Sequence, residues 1–116
     1  LGQCEGGIVQ GIGWVTMEEV IYNDEGKLLS NALSTYKIPD IYAVPKILDI
    51  KFLNTDGNSM AILKSKAVGE PPLMYGIGAY FAIRNAVLAF NPASDISYSA
   101  PITPEKVLMG LYSNGK

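Results

Sequence analysis

The chain has 116 residues, of which 48% are hydrophobic and 17% are charged, so its size and apolar content are those of one domain. A net charge of −2 without a Lys/Arg cluster predicts neither a nucleic-acid partner nor binding to an anionic membrane, and no apolar run approaches the roughly 20 residues of a membrane span. The chain has no His and a single Cys, Cys4, which excludes within it a Ser-His-Asp triad, a His-bound metal, an internal disulfide and an iron–sulfur cluster.

The first residues indicate how the chain relates to a larger protein. Leu1 stands where an initiator Met would be, and the glycine-rich sequence follows at once. We therefore expect residues 1–116 to be a fragment of a larger domain. The charged n-region of a signal peptide is missing, which leads us to expect a cytoplasmic location.

Residues 3–21 predict a helix, because Ile8, Ile12 and Val15 recur at helical spacing. Four glycines interrupt this helix, and each costs roughly 1 kcal/mol relative to Ala. Tertiary contacts must therefore hold it. The missing side chains would let another backbone or a cofactor approach closely, and both explanations remain open.

The middle of the chain predicts a turn and several extended segments. Asn, Asp and Gly give the turn chemistry of residues 22–27. Alternation of polar and apolar residues predicts a half-buried strand at 47–53. Shorter strands or extended stretches are predicted at 28–30, 35–39 and 61–63.

The C-terminal half predicts the longest helix, over residues 71–90, because Leu73, Ile77 and Phe81 lie four apart. Thr103 is suited to N-cap a final short helix. The fold class predicted is α+β, with the long helix and the glycine-rich N-terminal helix packed on a small sheet.

Residues 65–72 (SKAVGEPP) place one acid at the start of the long helix. Pro71 and Pro72 suit the first turn of a helix, and Pro71 disfavours helical angles at Glu70. Gly69 leaves open space on the other side. Glu70 is thus either a helix cap or a carboxylate positioned to contact a ligand.

Residues 65–72 resemble the active-site signature of the molybdenum hydroxylases, the family of xanthine dehydrogenase and aldehyde oxidase. Residues 2–13 (GQCEGGIVQGIG) and 34–40 (STYKIPD) resemble two further segments of that family, in the same order and spacing. All three resemble the C-terminal part of the large molybdopterin-binding domain.

The resemblance implies roles for two residues. Glu70 matches the glutamate that acts as general base, and Gln3 matches a glutamine beside the molybdopterin cofactor. Gln3 could instead be a helix-capping or surface residue. Gln10 has the same chemistry, but it lies about two helical turns from Gln3, and we interpret it as a packing residue. No side chain of this chain is predicted to bind a metal directly.

The resemblance implies part of a molybdenum-dependent hydroxylase that oxidises a purine, another N-heterocycle or an aldehyde with oxygen derived from water. The cofactors implied are molybdenum-molybdopterin here and iron–sulfur clusters and FAD elsewhere in the assembly. The partners implied are the remainder of the molybdopterin-binding polypeptide, the iron–sulfur and flavin domains or subunits, and a small-molecule substrate. The isolated fragment is expected to be inactive.

Two alternatives remain from the sequence. One is a non-catalytic packing or interaction domain, and the other is a stand-alone domain that binds a small molecule.

Overall fold

The computed structural model describes residues 1–54, 60, 62–64 and 70–112. Its regular elements are helices joined by long irregular segments. Its elements in order are α1 (Gly2–Thr16), a 3₁₀ turn (Ile62–Lys64), α2 (Pro71–Tyr75), α3 (Gly78–Phe90) and α4 (Pro104–Tyr112).

The predicted α+β class, with helices on a small sheet, is wrong. The described residues contain no strand, and their single β-bridge pairs Tyr22 with Leu28. In the predicted strand 47–53, Ile47 and Leu53 are 85% and 86% exposed. Alternation predicts a strand only where a neighbouring strand and a buried face are available, and the described part of this chain supplies neither. Residues 62 and 63 belong to the 3₁₀ turn, and residue 61 lies outside the described residues.

The predicted long helix over 71–90 is also wrong as one element, since it divides into α2 and α3. At the division, the Gly76 N–H donates to the Leu73 carbonyl at 3.1 Å, and the Ile77 N–H donates to the Met74 carbonyl at 3.3 Å. These are the i→i−3 bonds of a tightened 3₁₀ turn. The longest helix is α1, with 15 residues against 13 in α3.

Local signals predicted turns and helix ends more accurately. In the turn over 22–27, Gly26 has φ +79° and the Lys27 N–H donates to the Asn23 side chain at 2.7 Å. Thr103 caps α4, because its hydroxyl accepts a hydrogen bond from the Lys106 N–H at 3.3 Å. These short-range predictions are confirmed.

Helices α1 and α2 touch through their backbones. A Cβ on Gly11 would lie 2.0 Å from the Leu73 carbonyl oxygen, and one on Gly76 would lie 2.6 Å from the Gly11 carbonyl carbon. Neither position can hold a side chain without moving one helix away from the other. Close helix packing therefore explains Gly11 and Gly76.

A loop segment holds the other end of α1. A Cβ on Gly13 would meet the Pro39 ring at 2.3 Å, and the Tyr36 hydroxyl donates to a Glu18 carboxylate oxygen at 2.6 Å. That hydrogen bond is the main reason why the pKa of the Tyr36 phenol is raised above its ordinary value. The contact is therefore present at neutral pH and is lost as pH rises through the raised pKa.

The core joins α1 to the C-terminal half. Its buried apolar side chains are Val15, Tyr80, Val87, Ile96 and Ile102. The Ile102 N–H donates to the Val15 carbonyl at 2.8 Å, which ties the segment before α4 to the end of α1.

This core is small for the length of the chain. The radius of gyration is 18.2 Å, whereas a compact chain of this length would have about 13 Å. The accessible surface is 9191 Å², against about 6,200 Å² for a compact protein of this size. The excess surface includes large exposed apolar side chains, which are typical of an interface with further protein.

Pro71–Phe90, which comprises α2 and α3, is long and apolar enough to cross a membrane. The expectation that no apolar stretch approaches a membrane span is wrong on these two criteria. Length and composition do not separate a membrane span from a helix that packs against protein, and α2 packs against α1.

The glycine contact predicts opposite effects for two substitutions in α1. Gly11→Ala should destabilise the fold by about 1–3 kcal/mol, because the new methyl meets backbone. Gly6→Ala should leave stability unchanged or raise it by up to about 1 kcal/mol, since a Cβ there meets no atom within 4 Å and Ala favours helix. Thermal unfolding of the two variants tests this, and equal midpoints would contradict the close packing of α1 on α2.

Candidate functional site

One face of α1 combines glutamines and glycines. At about 100° per residue, Gln3, Gly6, Gly7 and Gln10 fall within an arc of about 100° around the helix axis. They are the chain's only two glutamines and two of its glycines. This face therefore presents two amides with bare backbone between them.

The start of α2 lies against this face and closes a pocket of about 360 Å³. A Cβ on Gly7 would lie 2.9 Å from the Pro72 Cβ, so the absent side chain lets the two helices meet beside the pocket. We call this cavity the amide pocket; its lining includes Gln3, Gly6, Gly7, Gln10, Glu70 and Pro72.

Glu70 lies at the N-terminus of α2, next to Pro71. Its backbone is non-helical (φ −114°, ψ 53°), and its side chain makes no capping hydrogen bond. The helix-cap alternative therefore lacks the bond that defines it. Residues 65–69 of the signature lie outside the described residues, so the structure places the signature through Glu70, Pro71 and Pro72.

Both glutamines line the pocket, but the sequence analysis predicted a binding role only for Gln3. Gln3, in the first turn of α1, lines the same pocket as Glu70, so the structure brings the two predicted residues together. Gln10 lines it as well, although its spacing from Gln3 was interpreted as packing. The signal for Gln10 was available: a spacing of seven residues returns to the same helix face, and glycines separate the two amides.

Within the described part of the chain, no hydrogen bond is recorded for the side chains of Gln3, Gln10 or Glu70. Each amide offers donors and an acceptor, and the carboxylate offers acceptors. Glu70 is the only ionisable group among the described residues that line the pocket. The pocket thus presents unused neutral hydrogen-bonding groups and one group able to exchange a proton.

The pocket also has room for an organic ligand. A Cβ on Gly6 would meet nothing within 4 Å, so the missing side chain leaves space that no described residue fills. Among the described residues, no three acidic or Cys side chains come together as metal ligands. The lining therefore suits a ligand bound through hydrogen bonds, including a metal carried on an organic cofactor.

An apolar cavity adjoins the amide pocket on the other side of Glu70. It measures about 610 Å³ and is lined by Glu70, Pro71, Leu73, Met74 and Tyr75. The carboxylate therefore belongs to the lining of both a polar and an apolar cavity.

Comparison with known proteins identifies the family of this chain. The family model for a molybdopterin cofactor-binding domain matches residues 1–45, which include α1 with Gln3 and Gln10. Xanthine dehydrogenase/oxidase of Felis catus is 40% identical to this chain over 92% of this chain's residues. Aldehyde oxidase 1 of Oryctolagus cuniculus is also 40% identical, over 94% of the chain.

A solved structure agrees with these sequence matches. Quinoline 2-oxidoreductase from Pseudomonas putida 86 superposes with a TM-score of 0.77 and 35% identity over 95% of this chain. The matches cover 14% of that structure's chain and 8–9% of the two curated relatives, so this chain spans less than a tenth of the relatives' length. The chain belongs to the molybdenum hydroxylase family, the family of xanthine dehydrogenase and aldehyde oxidase.

Proposed function

We propose that the chain is part of a molybdenum-dependent hydroxylase of the cytoplasm that oxidises a purine, another N-heterocycle or an aldehyde. The observation that carries this proposal is the amide pocket, which Gln3 and Glu70 both line without using their side chains for the fold. The names of the relatives support this range of substrates, since they include a xanthine dehydrogenase, an aldehyde oxidase and a quinoline oxidoreductase.

The lining of the pocket fits a molybdopterin cofactor. Gln3 would hold it through its amide, and the open space beside Gly6 would admit it. When bound, the cofactor supplies a two-electron acceptor at which oxygen from water is transferred to carbon. Neutral amides bind such a group without adding charge to the pocket.

Glu70 acts as the general base in this proposal. Hydroxylation converts a C–H bond to C–OH, takes its oxygen from water and releases two electrons and two protons. Glu70 accepts one proton on a carboxylate oxygen, and no other ionisable group among the described residues lines the pocket. The side chains of Leu73, Met74 and Tyr75 give the other side of that carboxylate an apolar lining.

The electrons leave through iron–sulfur clusters and FAD. The sequence has one Cys and no His, too few ligands for an iron–sulfur cluster, and we assign these centres to other parts of the assembly.

The isolated chain of 116 residues should bind no molybdenum stably and show no hydroxylase activity. Its described residues supply α1 and the start of α2 to a cavity that is open elsewhere, which leaves most of the cofactor without contacts. Elemental analysis of the purified chain, from cells grown with molybdate, tests this. Stoichiometric molybdenum would show that these residues form a complete cofactor site.

In the longer protein, Glu70→Gln should lower turnover by roughly 10²–10⁴-fold while molybdenum content stays at the wild-type level, because the amide keeps the shape but accepts no proton. The measurement is the single-turnover rate of enzyme reduction by substrate, normalised to molybdenum. Glu105→Gln is the matched control, since Glu105 is an exposed acid in the first turn of α4. A wild-type rate in Glu70→Gln would rule out the general base, whereas a helix cap predicts only a stability loss of about 1 kcal/mol.

A further inference from the structure

We propose that Gln10 is a second ligand-binding amide of the amide pocket and that it holds the far polar edge of a planar N-heterocycle. This inference rests on the proposed function and adds a residue that the sequence interpretation had assigned to packing. Gln10 is exposed, it lines the same pocket as Gln3 and Glu70, and no described residue hydrogen-bonds its side chain.

The spacing of the two amides defines the length of the ligand. Gln3 and Gln10 lie seven residues apart on one helix, or about 10 Å along its axis. A single carbonyl or amino group cannot reach both. The two amides therefore bind separate edges of one elongated ligand or of two ligands placed end to end.

The surface between the amides indicates the shape of that ligand. Gly6 and Gly7 form the lining between Gln3 and Gln10, and a Cβ on Gly6 would point into open space. Backbone without side chains forms a flat surface against which a planar ring can pack. Pro72, beside Gly7, forms an apolar wall.

The chemistry of an amide indicates the edge that Gln10 binds. Its carbonyl accepts and its NH₂ donates, so it pairs in two bonds with an adjacent N–H and C=O on a ring. Such an edge is found on the pterin of the cofactor and on purine-like substrates. A neutral amide two helical turns from Gln3 would orient either one without changing its charge.

The test uses the longer protein and the variant Gln10→Met. Met has nearly the length and helix propensity of Gln but makes no comparable hydrogen bond. Glu5→Met is the matched control, because Glu5 lies in α1 about 200° around the axis from Gln3 and does not line the pocket. Gln10→Asn keeps the amide with a shorter reach and should restore part of any loss.

Two measurements distinguish whether the ring edge that Gln10 binds belongs to the pterin or to the substrate. If Gln10 binds the pterin, molybdenum and pterin per chain fall in Gln10→Met, and the loaded fraction binds substrate normally. If Gln10 binds substrate, cofactor content is unchanged, and the dissociation constant for xanthine rises about 3- to 10-fold, as for one lost hydrogen bond. Quinoline, which has one ring nitrogen and no adjacent N–H and C=O, should then bind almost unchanged.

Unchanged cofactor content together with unchanged xanthine binding in Gln10→Met would overturn the inference. Equal losses in Glu5→Met would also overturn it, because they would reflect the helix and not the pocket. Wild-type protein without molybdenum would instead contradict the proposed function itself. If the wild type carries molybdenum but Gln10→Met changes neither cofactor content nor xanthine binding, the proposed function stands and only the binding role of Gln10 is excluded.

Discussion

The contact between the backbones of α1 and α2 determines where Glu70 lies relative to the two glutamines of α1. At Gly11 and Gly76 the two helices approach so closely that a single methyl would overlap main-chain atoms. α2 has five residues and no capping hydrogen bond from its N-terminal side chain, so it contributes little helical stability of its own. Its position, and with it the position of Glu70, depends on α1.

That dependence separates structural side chains from chemical ones. The helices contact each other at Gly11, Gly76 and Pro72. The polar side chains of the pocket are therefore not needed to hold the helices together. In the part of the chain that the structure describes, the side chains of Gln3, Gln10 and Glu70 have no hydrogen-bond partners, whereas several other polar side chains are paired within the fold. Tyr36 pairs with Glu18, and Lys106 pairs with Glu19 at 2.9 Å. Unpaired groups around a pocket are available to a ligand, and the family supplies one of suitable chemistry.

Two residues that the sequence singled out, Glu70 and Gln3, line one pocket, whereas the predicted fold class is wrong. Glu70 could be singled out because two prolines and a family signature mark it, and Gln3 because its glycine-rich segment has a counterpart in the family. Turn and cap residues such as Gly26 and Thr103 act over a few residues, so their effects could be predicted locally. The place of Gln10 in the same pocket was not predicted, because helical spacing was used to measure its distance from Gln3 and not to find which face of α1 the two residues share.

The predicted sheet failed for a physical reason. Residues 47–53 alternate as a half-buried strand does, but a strand is stabilised by a neighbour and by a surface to cover, which are long-range properties. The division of the predicted 71–90 helix has the same origin, since it occurs where Gly76 contacts the backbone of α1. The periodicity of nearby residues cannot predict a contact with a distant segment. Both errors arise because the partners of these segments are distant in sequence or lie outside this chain, which spans less than a tenth of its relatives.

The backbone contact between α1 and α2 is proposed to build the cofactor pocket. The decisive measurement is molybdenum per folded chain in the longer protein, compared between Gly76→Ala and Gly78→Ala. A Cβ on Gly76 would lie 2.5 Å from the Ile12 backbone nitrogen, whereas one on Gly78, two residues away, meets nothing within 4 Å. Neither residue lines the amide pocket. Molybdenum content should fall well below the wild-type level in Gly76→Ala and stay unchanged in Gly78→Ala, whereas full content in both variants would show that the pocket does not depend on this contact.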